Sequence, residues 1–282
     1  MMDRSIVTVK WLSENLKAPD LIILDASLKG NVSGLTPKHQ DIQIEGARYF
    51  DLKGKFSDKS SHLPNTLPSA AAFAAEARQL GINGGSKLVI YDNIGAYSSP
   101  RVWWMFKTMG HNEVAVLDGG LDAWVNADLP TEPIQENSYE MGDFSATRDE
   151  TSVKTADDVL ENISTLDFIT IDARSAGRFK AEAPEPRADL RSGHIPQSKN
   201  LPFKQVLENG RFKSEEQLNQ QFTELNPDRK PMIFTCGSGL TACIILLAAE
   251  LVGYGETAIY DGSWTDWGSR PELPIELSNS NE

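Results

Sequence analysis

The chain has 282 residues, of which 40% are hydrophobic and 24% charged, a composition typical of a globular protein and not of a disordered one. Its net charge of −13 argues against nucleic acid and membrane as partners, because both favour a basic protein surface. Two cysteines, Cys236 and Cys243, are too few for a disulfide framework or a four-thiolate zinc site. The first residues lack the apolar stretch of a secretory signal, so we expect a cytoplasmic protein with reduced thiols.

Short apolar segments alternate with helical ones along the chain. Strands are predicted at residues 21–24, 88–91, 114–117, 168–171, 232–235 and 257–260, mostly bounded by Gly, Asp or Asn. Between them, Ser69 is expected to cap a helix that ends at Gly81, and Ser99 to cap a second helix that ends at Gly110. A third, apolar helix is predicted over 241–252. This alternation predicts an α/β fold with a mostly parallel sheet flanked by helices.

The chain contains a long internal repeat. The segment KLVIYDNIGAYSSPRVWWMF and its continuation align with KPMIFTCGSGLTACIILL and its continuation, so that Asp92 faces Cys236 and Asp118 faces Asp261. Two copies of one domain are therefore expected, an N-terminal domain over 1–137 and a C-terminal domain over 151–282. The polar segment 138–150 is expected to link them.

Cys236 lies where a reactive group is expected in such a fold. The sequence PMIFT-CGSGLTA-CIILLAAELVG predicts a strand, a loop with two glycines and a helix. Loop and helix N-terminus together offer backbone N–H groups to an anion, and ligands of open α/β sheets bind beyond the carboxyl ends of strands. We interpret Cys236 as a thiolate nucleophile, although most free cysteines are small buried hydrophobic residues. Cys243, inside the apolar helix, is expected to be a core residue.

The CGSGLTA loop, the DGSWTDW segment and the tandem arrangement resemble the two-domain rhodanese superfamily, and more closely its 3-mercaptopyruvate branch. The resemblance implies two tandem rhodanese-like domains, each a mostly parallel sheet flanked by helices. It also implies a sulfurtransferase that carries sulfur from 3-mercaptopyruvate through a Cys236 persulfide to a thiol such as thioredoxin, or to cyanide in vitro, and releases pyruvate. No metal or organic cofactor is expected.

The resemblance also implies the substrate-binding residues. Arg178 and Arg187 match two family arginines, and a guanidinium group suits a planar carboxylate. The backbone of the loop is expected to hold the negative charge on sulfur, through Gly237, Gly239, Leu240 and Thr241. The neighbouring Arg174 and Arg191 are interpreted as solvated surface charges, and His194 as a structural hydrogen-bonding residue.

A catalytic relay is also implied. His62, in SDKSSHLP, matches a family histidine from the first domain, and with Ser238 and Cys236 it would form a Cys–Ser–His relay that protonates the departing enolate. The acidic partner of His62 would be Asp51 or Asp58, and the alternative for His62 is an exposed loop histidine. Because Asp92 replaces the cysteine in the first copy and cannot carry sulfur, that domain is expected to be inactive.

Three alternatives remain at this stage. A thiosulfate sulfurtransferase would have the same fold, but such enzymes carry basic residues after the cysteine, where this chain has Gly237 and Ser238. A cysteine phosphatase would need an arginine six positions after Cys236, where this chain has Ala242. The third alternative is a non-catalytic binding module or sulfur-relay protein.

Overall fold

The computed structural model describes residues 4–31, 33–135 and 137–277. It divides into two compact units. The first unit comprises the residues up to 59 together with 67–149 and 207–212, and the second comprises 60–66, 150–206 and the residues from 213 onward. None of the helices in the described ranges is long and apolar enough to cross a membrane.

The described residues of the first half of the sequence form these strands and helices: β1 (Ile6–Val7), α1 (Val9–Asn15), β2 (Leu21–Asp25), β3 (Ile42–Ile44), β4 (Arg48–Tyr49), α2 (Ala70–Gln79), β5 (Lys87–Tyr91), α3 (Ser99–Thr108), β6 (Val114–Leu117), α4 (Gly120–Val125) and β7 (Thr131–Pro133). The second half contributes β8 (Val153–Lys154), α5 (Ala156–Thr165), β9 (Ile169–Asp172), α6 (Ala176–Phe179), β10 (Lys199–Asn200), β11 (Leu207–Glu208), β12 (Arg211–Phe212), α7 (Glu215–Leu225), β13 (Met232–Thr235), α8 (Ala242–Leu251), β14 (Thr257–Tyr260) and α9 (Ser263–Trp267).

Each unit is built on a five-stranded parallel sheet, and the two sheets have equivalent strand orders. The first has the order β1-β6-β5-β2-β4, and the second, read from the other edge, has the order β8-β14-β13-β9-β10. Strand β5, which ends before Asp92, and strand β13, which ends before Cys236, are both central. The predicted α/β fold and the internal repeat are confirmed. The central strands are nearly continuous apolar runs because both faces of a parallel sheet are covered.

The helix boundaries follow local signals, with one difference. Ser69 caps α2 by accepting the N–H of Ala72, as predicted. The cap of α3, however, is Ser98 and not Ser99. Ser99 is the first residue of the helix and is fully buried, and its hydroxyl is bonded to Asp92. A bond to Asp92, seven positions earlier in the chain, has therefore replaced the capping bond that the sequence suggests.

Neither unit is one continuous stretch of the sequence. Residues 138–149, expected to be part of a linker, belong to the first unit, where Phe144 is 1% exposed and packs against Phe73 and Phe106. The buried aromatic ring attaches this segment to the core of the first unit. The polar composition of the segment had suggested a linker instead. In addition, segment 60–66 belongs to the second unit, and the hairpin β11–β12 belongs to the first.

Candidate active site

Cys236 is the first residue after β13 and is 1% exposed. It is the first residue of a six-residue loop, 236–241, which is followed directly by α8. The next strand in sequence, β14, ends at Tyr260 and leads into α9. The thiol therefore lies at the carboxyl edge of a parallel sheet beside a helix N-terminus, where the backbone offers N–H groups.

The hydroxyl of Ser263 fixes both ends of the bend in this loop. Its Oγ accepts the N–H of Cys236 at 3.2 Å and the N–H of Gly239 at 3.1 Å, and donates to the carbonyl of Tyr260 at 2.9 Å. Gly239 has a φ of +75°, which permits this tight turn. The N–H of Gly239, expected to face a substrate, thus donates to Ser263. Sequence reasoning missed Ser263; the only signal is that the first copy has Gly120 at the equivalent position.

Backbone N–H groups of helix α9 bind two carbonyl oxygens of the loop. The N–H of Trp264 donates to the carbonyl of Cys236 at 2.9 Å, and that of Thr265 donates to the carbonyl of Gly237 at 2.9 Å. The Thr265 hydroxyl makes a second bond to the Gly237 carbonyl at 2.6 Å. Because these acceptors are occupied, the loop is held in one conformation.

Arg178 lies directly against this loop. A Cβ atom built at Gly237 would be 3.1 Å from Nη2 of Arg178, so glycine leaves room for the guanidinium group. The Arg178 side chain is 21% exposed, and its Nε and Nη2 atoms donate to the carboxylate of Glu185. The structure therefore brings the predicted Arg178 to the cysteine loop, in an orientation set by a buried carboxylate.

Arg187 is linked to the same loop through Thr265. Its Nη1 donates to the Thr265 hydroxyl at 3.1 Å, and that hydroxyl donates to the carbonyl of Gly237. The two arginines predicted to bind substrate thus both reach Gly237, one directly and one through a threonine. The loop itself carries no cation between Gly237 and Thr241.

The interpretation of Arg174 as a solvated charge is wrong. Its side chain is fully buried, where it pairs with Asp172 at 2.6 Å and with Glu185 at 2.8 Å and lies 4.1 Å from the ring centroid of Trp264. Burial by itself would lower the pKa of Arg174, but the Asp172 and Glu185 carboxylates outweigh it and the pKa is raised. A buried guanidinium needs such partners, and here they also hold Arg178 through the shared Glu185.

The same interpretation is wrong for Arg191. Its guanidinium is partly buried and donates to the carbonyls of Gly268, Leu273 and Trp267 at 3.0–3.1 Å. Arg191 therefore stabilises the conformation of the segment that follows α9. His194 is structural, as predicted: it is 5% exposed, hydrogen-bonded to the carbonyl of Phe179 at 2.8 Å and stacked on the Phe179 ring.

The side chain hydrogen-bonded to the Ser238 hydroxyl is that of Asn65, and not that of His62. The Asn65 amide Nδ2 is 3.1 Å from Ser238 Oγ and 3.2 Å from the Ser238 carbonyl oxygen. His62 is exposed, and no hydrogen bond joins it to Ser238 or Cys236 in the described part of the chain. Asp51, one suggested partner of His62, instead accepts the N–H of Gly54.

In the first copy, a carboxylate accepts the backbone N–H groups of the loop that is equivalent to the cysteine loop. Asp92, 1% exposed, accepts the N–H groups of Tyr97, Ser98 and Ser99 at 2.8–3.0 Å with one oxygen and the N–H of Ile94 at 2.9 Å with the other. The loop after β5 is thus an anion-binding nest whose anion belongs to the chain itself.

Cys243 is a core residue, as predicted, since it is fully buried in α8 with its Sγ 3.4 Å from the carbonyl oxygen of Gly239. Both cysteines are free thiols. Among the described residues, no group of three or more His, Cys, Asp or Glu side chains is arranged to hold a metal ion.

Known proteins resemble the whole chain. Residues 8–127 and 155–270 match the rhodanese-like domain. A Mus musculus protein named 3-mercaptopyruvate sulfurtransferase is 42% identical over 279 residues, which cover 95% of this chain and 93% of that protein. A Cricetulus griseus protein named thiosulfate sulfurtransferase is 40% identical over 291 residues, which cover 99% and 97%.

A solved structure agrees with these relatives. A crystal structure from Escherichia coli, described as showing the rhodanese fold and catalytic mechanism of 3-mercaptopyruvate sulfotransferases, has a TM-score of 0.82 at 34% identity, covering 93% of this chain and 99% of that one. Two matched domains, two equivalent parallel sheets and relatives of nearly full coverage agree with one another, and the chain belongs to the rhodanese family.

Proposed function

We propose that this chain is a 3-mercaptopyruvate sulfurtransferase with Cys236 as its nucleophile. The Cys236 thiolate forms a bond to the sulfur of 3-mercaptopyruvate, and the carbon–sulfur bond breaks. The electron pair of that bond stays on carbon as the pyruvate enolate, which takes up a proton. The proton of the substrate thiol balances this uptake, so the products are pyruvate and a Cys236 persulfide anion.

The observation that carries this proposal is the position of the two arginines at Gly237. Arg178 lies against Gly237, and Arg187 is bonded to Thr265, which is bonded to Gly237. Both cations thus come from outside the loop and are placed around Gly237, the residue that follows the nucleophile. A mercapto-keto acid needs a cation at its carboxylate, which lies two carbons away from the carbon that bears the sulfur, and a guanidinium group that reaches the loop from a neighbouring segment can supply it.

The first copy supports the role of the loop backbone. Its Asp92 carboxylate is bound by the N–H groups of the last loop residues and of the first residue of α3. The loop after Cys236 is one residue shorter, and when the helix starts at Ser99 and Ala242 are aligned, the equivalent groups belong to Leu240, Thr241 and Ala242. We therefore assign these three N–H groups, with that of Gly237, to stabilising the charge on the outer sulfur.

Thiosulfate sulfurtransferase is the second candidate, since one of the relatives bears that name. Thiosulfate is a small dianion whose charge adjoins the transferred sulfur, so it benefits from cations beside the thiolate. This loop has Gly237 and Ser238 there. We expect kcat/KM to be at least about tenfold higher for 3-mercaptopyruvate than for thiosulfate. A preference for thiosulfate would reject the assignment.

The central test follows pyruvate release from 3-mercaptopyruvate. Cys236→Ser should abolish it, while Cys243→Ala, which changes the other thiol, should retain it. Mass spectrometry after substrate exposure should find one added sulfur atom on Cys236 in the wild type. Activity that survives in Cys236→Ser would refute the proposal, and an unmodified Cys236 would favour a non-catalytic binding protein.

The sulfur acceptor in this proposal is a thiol, such as a reduced thioredoxin, and the setting is the cytoplasm. Two free thiols, one of which must stay reduced to act, support a reducing compartment. A panel of thioredoxin, glutathione and cyanide, compared by turnover at equal substrate, measures the acceptor preference. A rate independent of any thiol would contradict this part.

A further inference from the structure

Asn65 is the residue in direct contact with the hydroxyl that follows the nucleophile. Its amide donates to Ser238 Oγ at 3.1 Å and to the Ser238 carbonyl oxygen at 3.2 Å. It belongs to segment 60–66, which comes from the first half of the sequence but lies in the second unit. Its φ of +59° is in the left-handed region, which asparagine tolerates better than most residues.

The two bonds restrict the Ser238 hydroxyl. A serine hydroxyl has one proton and two lone pairs, and an amide N–H can only donate. Asn65 therefore occupies one lone pair of Ser238 Oγ, and the hydroxyl proton must point elsewhere. The second bond, to the Ser238 carbonyl, fixes the amide in the donating orientation. Among the described residues, Asn65 is the group bonded to Ser238 Oγ, so the other lone pair and the proton are left for a reactant.

We propose that Asn65 is a positioning residue that orients Ser238 as a closed proton shuttle, an inference that rests on the function proposed above. As the carbon–sulfur bond breaks, Ser238 gives its hydroxyl proton to the carbon of the enolate. Its oxygen takes the proton that the substrate sulfur brings to the new Cys236 persulfide. The proton that Ser238 gives to carbon is replaced by the proton that it takes from sulfur. The step therefore needs no external acid and no histidine hydrogen-bonded to Ser238. A carboxamide is neither an effective acid nor an effective base at neutral pH, so Asn65 acts through orientation alone.

The chain offers a matched control for this residue. Asn209 precedes Cys236 by as many residues as Asn65 precedes Asp92, and it is also left-handed, with a φ of +51°. It is exposed and lies in the hairpin of the first unit. Glycine adopts positive φ freely, so a change to glycine removes either side chain without backbone strain.

The first experiment compares Asn65→Gly with Asn209→Gly. We expect Asn65→Gly to lower kcat for pyruvate release about tenfold while KM changes less than about twofold, because one orienting hydrogen bond is lost and the arginines remain. Asn209→Gly should match the wild type. Thermal unfolding of both variants checks that the protein stays folded. Equal kcat in the three proteins would overturn the inference.

A second experiment reverses the hydrogen bond. Asn65→Asp replaces the donor with an acceptor that turns the Ser238 proton away from the reactants, so kcat should fall about 100-fold. This deficit should shrink as the pH is lowered towards the range in which the new carboxylate is protonated. Cys236 and Arg178 lie beside the same loop in both proteins, so the ratio of variant to wild type reports the effect of the new carboxylate. A ratio that does not change with pH would contradict the inference.

A double-mutant cycle tests whether Asn65 acts through Ser238. In a Ser238→Ala background, Asn65→Gly should have no further effect on kcat, whereas additive losses would overturn the inference.

Failure of this inference can be told apart from failure of the proposed function. If the wild type releases no pyruvate, the proposed function fails; if the wild type is active and Asn65 variants are unaffected, only this inference fails.

Discussion

The Asp92 carboxylate accepts both the backbone N–H of Ser99, at 2.9 Å, and the Ser99 hydroxyl, at 2.7 Å. Further N–H groups from the same loop complete its hydrogen bonds. The first copy thus retains the architecture of an anion-binding loop but fills it with its own side chain. We expect this copy to be inactive, because a carboxylate cannot carry sulfur and here also occupies the place that a bound anion would take.

Asp92→Asn should lower the free energy of unfolding by about 2–3 kcal/mol, because hydrogen bonds to a charged acceptor are each worth about 1.5–3 kcal/mol and an amide NH₂ would face the N–H of Ile94. Urea unfolding measures the change. Asp128→Asn, at an exposed position, is the control. Equal stability of wild type and Asp92→Asn would show that the nest is not a folding determinant.

Glu185→Gln should raise KM for 3-mercaptopyruvate about tenfold. The carboxylate of Glu185 is 2% exposed and holds both Arg174 and Arg178, whereas a glutamine offers one acceptor to two guanidinium groups. Initial rates over a substrate range measure KM. Glu182→Gln, at an exposed position of the same segment, should leave KM unchanged. An unchanged KM in Glu185→Gln would mean that Arg178 does not need its carboxylate partner.

Arg187→Lys should also act on KM, with a rise of about tenfold and a smaller effect on kcat. Lysine keeps the charge but loses the planar fork that can bond Thr265 and a carboxylate together. Steady-state kinetics separates the two constants, and Lys180→Ala, at an exposed position of the same segment, serves as the control. A loss confined to kcat would assign Arg187 to the chemical step instead of carboxylate binding.

Ser263→Gly should lower kcat about tenfold with little change in stability. The variant loses the hydroxyl that receives the N–H groups of Cys236 and Gly239, but it also relieves a serine held at a φ of +51°. Kinetics and thermal unfolding are measured on the same preparation. If stability falls and kcat does not, Ser263 is a folding residue only.

His111 should make stability depend on pH. Burial lowers the pKa of His111 below its usual value of 6.5. As pH falls through that value, the unfolded chain binds a proton that the folded chain does not, so stability is lost on acidification. The melting temperature between pH 7 and pH 5 should therefore fall less steeply in His111→Gln than in the wild type. His62→Gln, at an exposed position, should follow the wild type.

Local sequence was sufficient for the central elements. The strands ending before Asp92 and Cys236 were predicted within one residue, because buried parallel strands are short apolar runs between turn residues. The repeat predicted two copies of one domain, and the two sheets have equivalent strand orders. The loop glycines predicted backbone N–H groups turned towards an anion. Arg178 and Arg187 were predicted from the family resemblance. The structure places Arg178 against Gly237 and bonds Arg187 to Thr265, which is bonded to Gly237.

The sequence by itself determined two tandem α/β domains and a single cysteine at the carboxyl edge of a sheet, since these depend on hydrophobic pattern and residue type. Only the tertiary structure decided which side chains meet that cysteine loop. Asn65 reaches Ser238 although 173 positions separate them in the sequence, and Arg174 is buried because Asp172 and Glu185 neutralise it. Such partners are chosen by the packing of distant segments, and a charged or polar residue looks alike in sequence whether it ends in solvent or in the core.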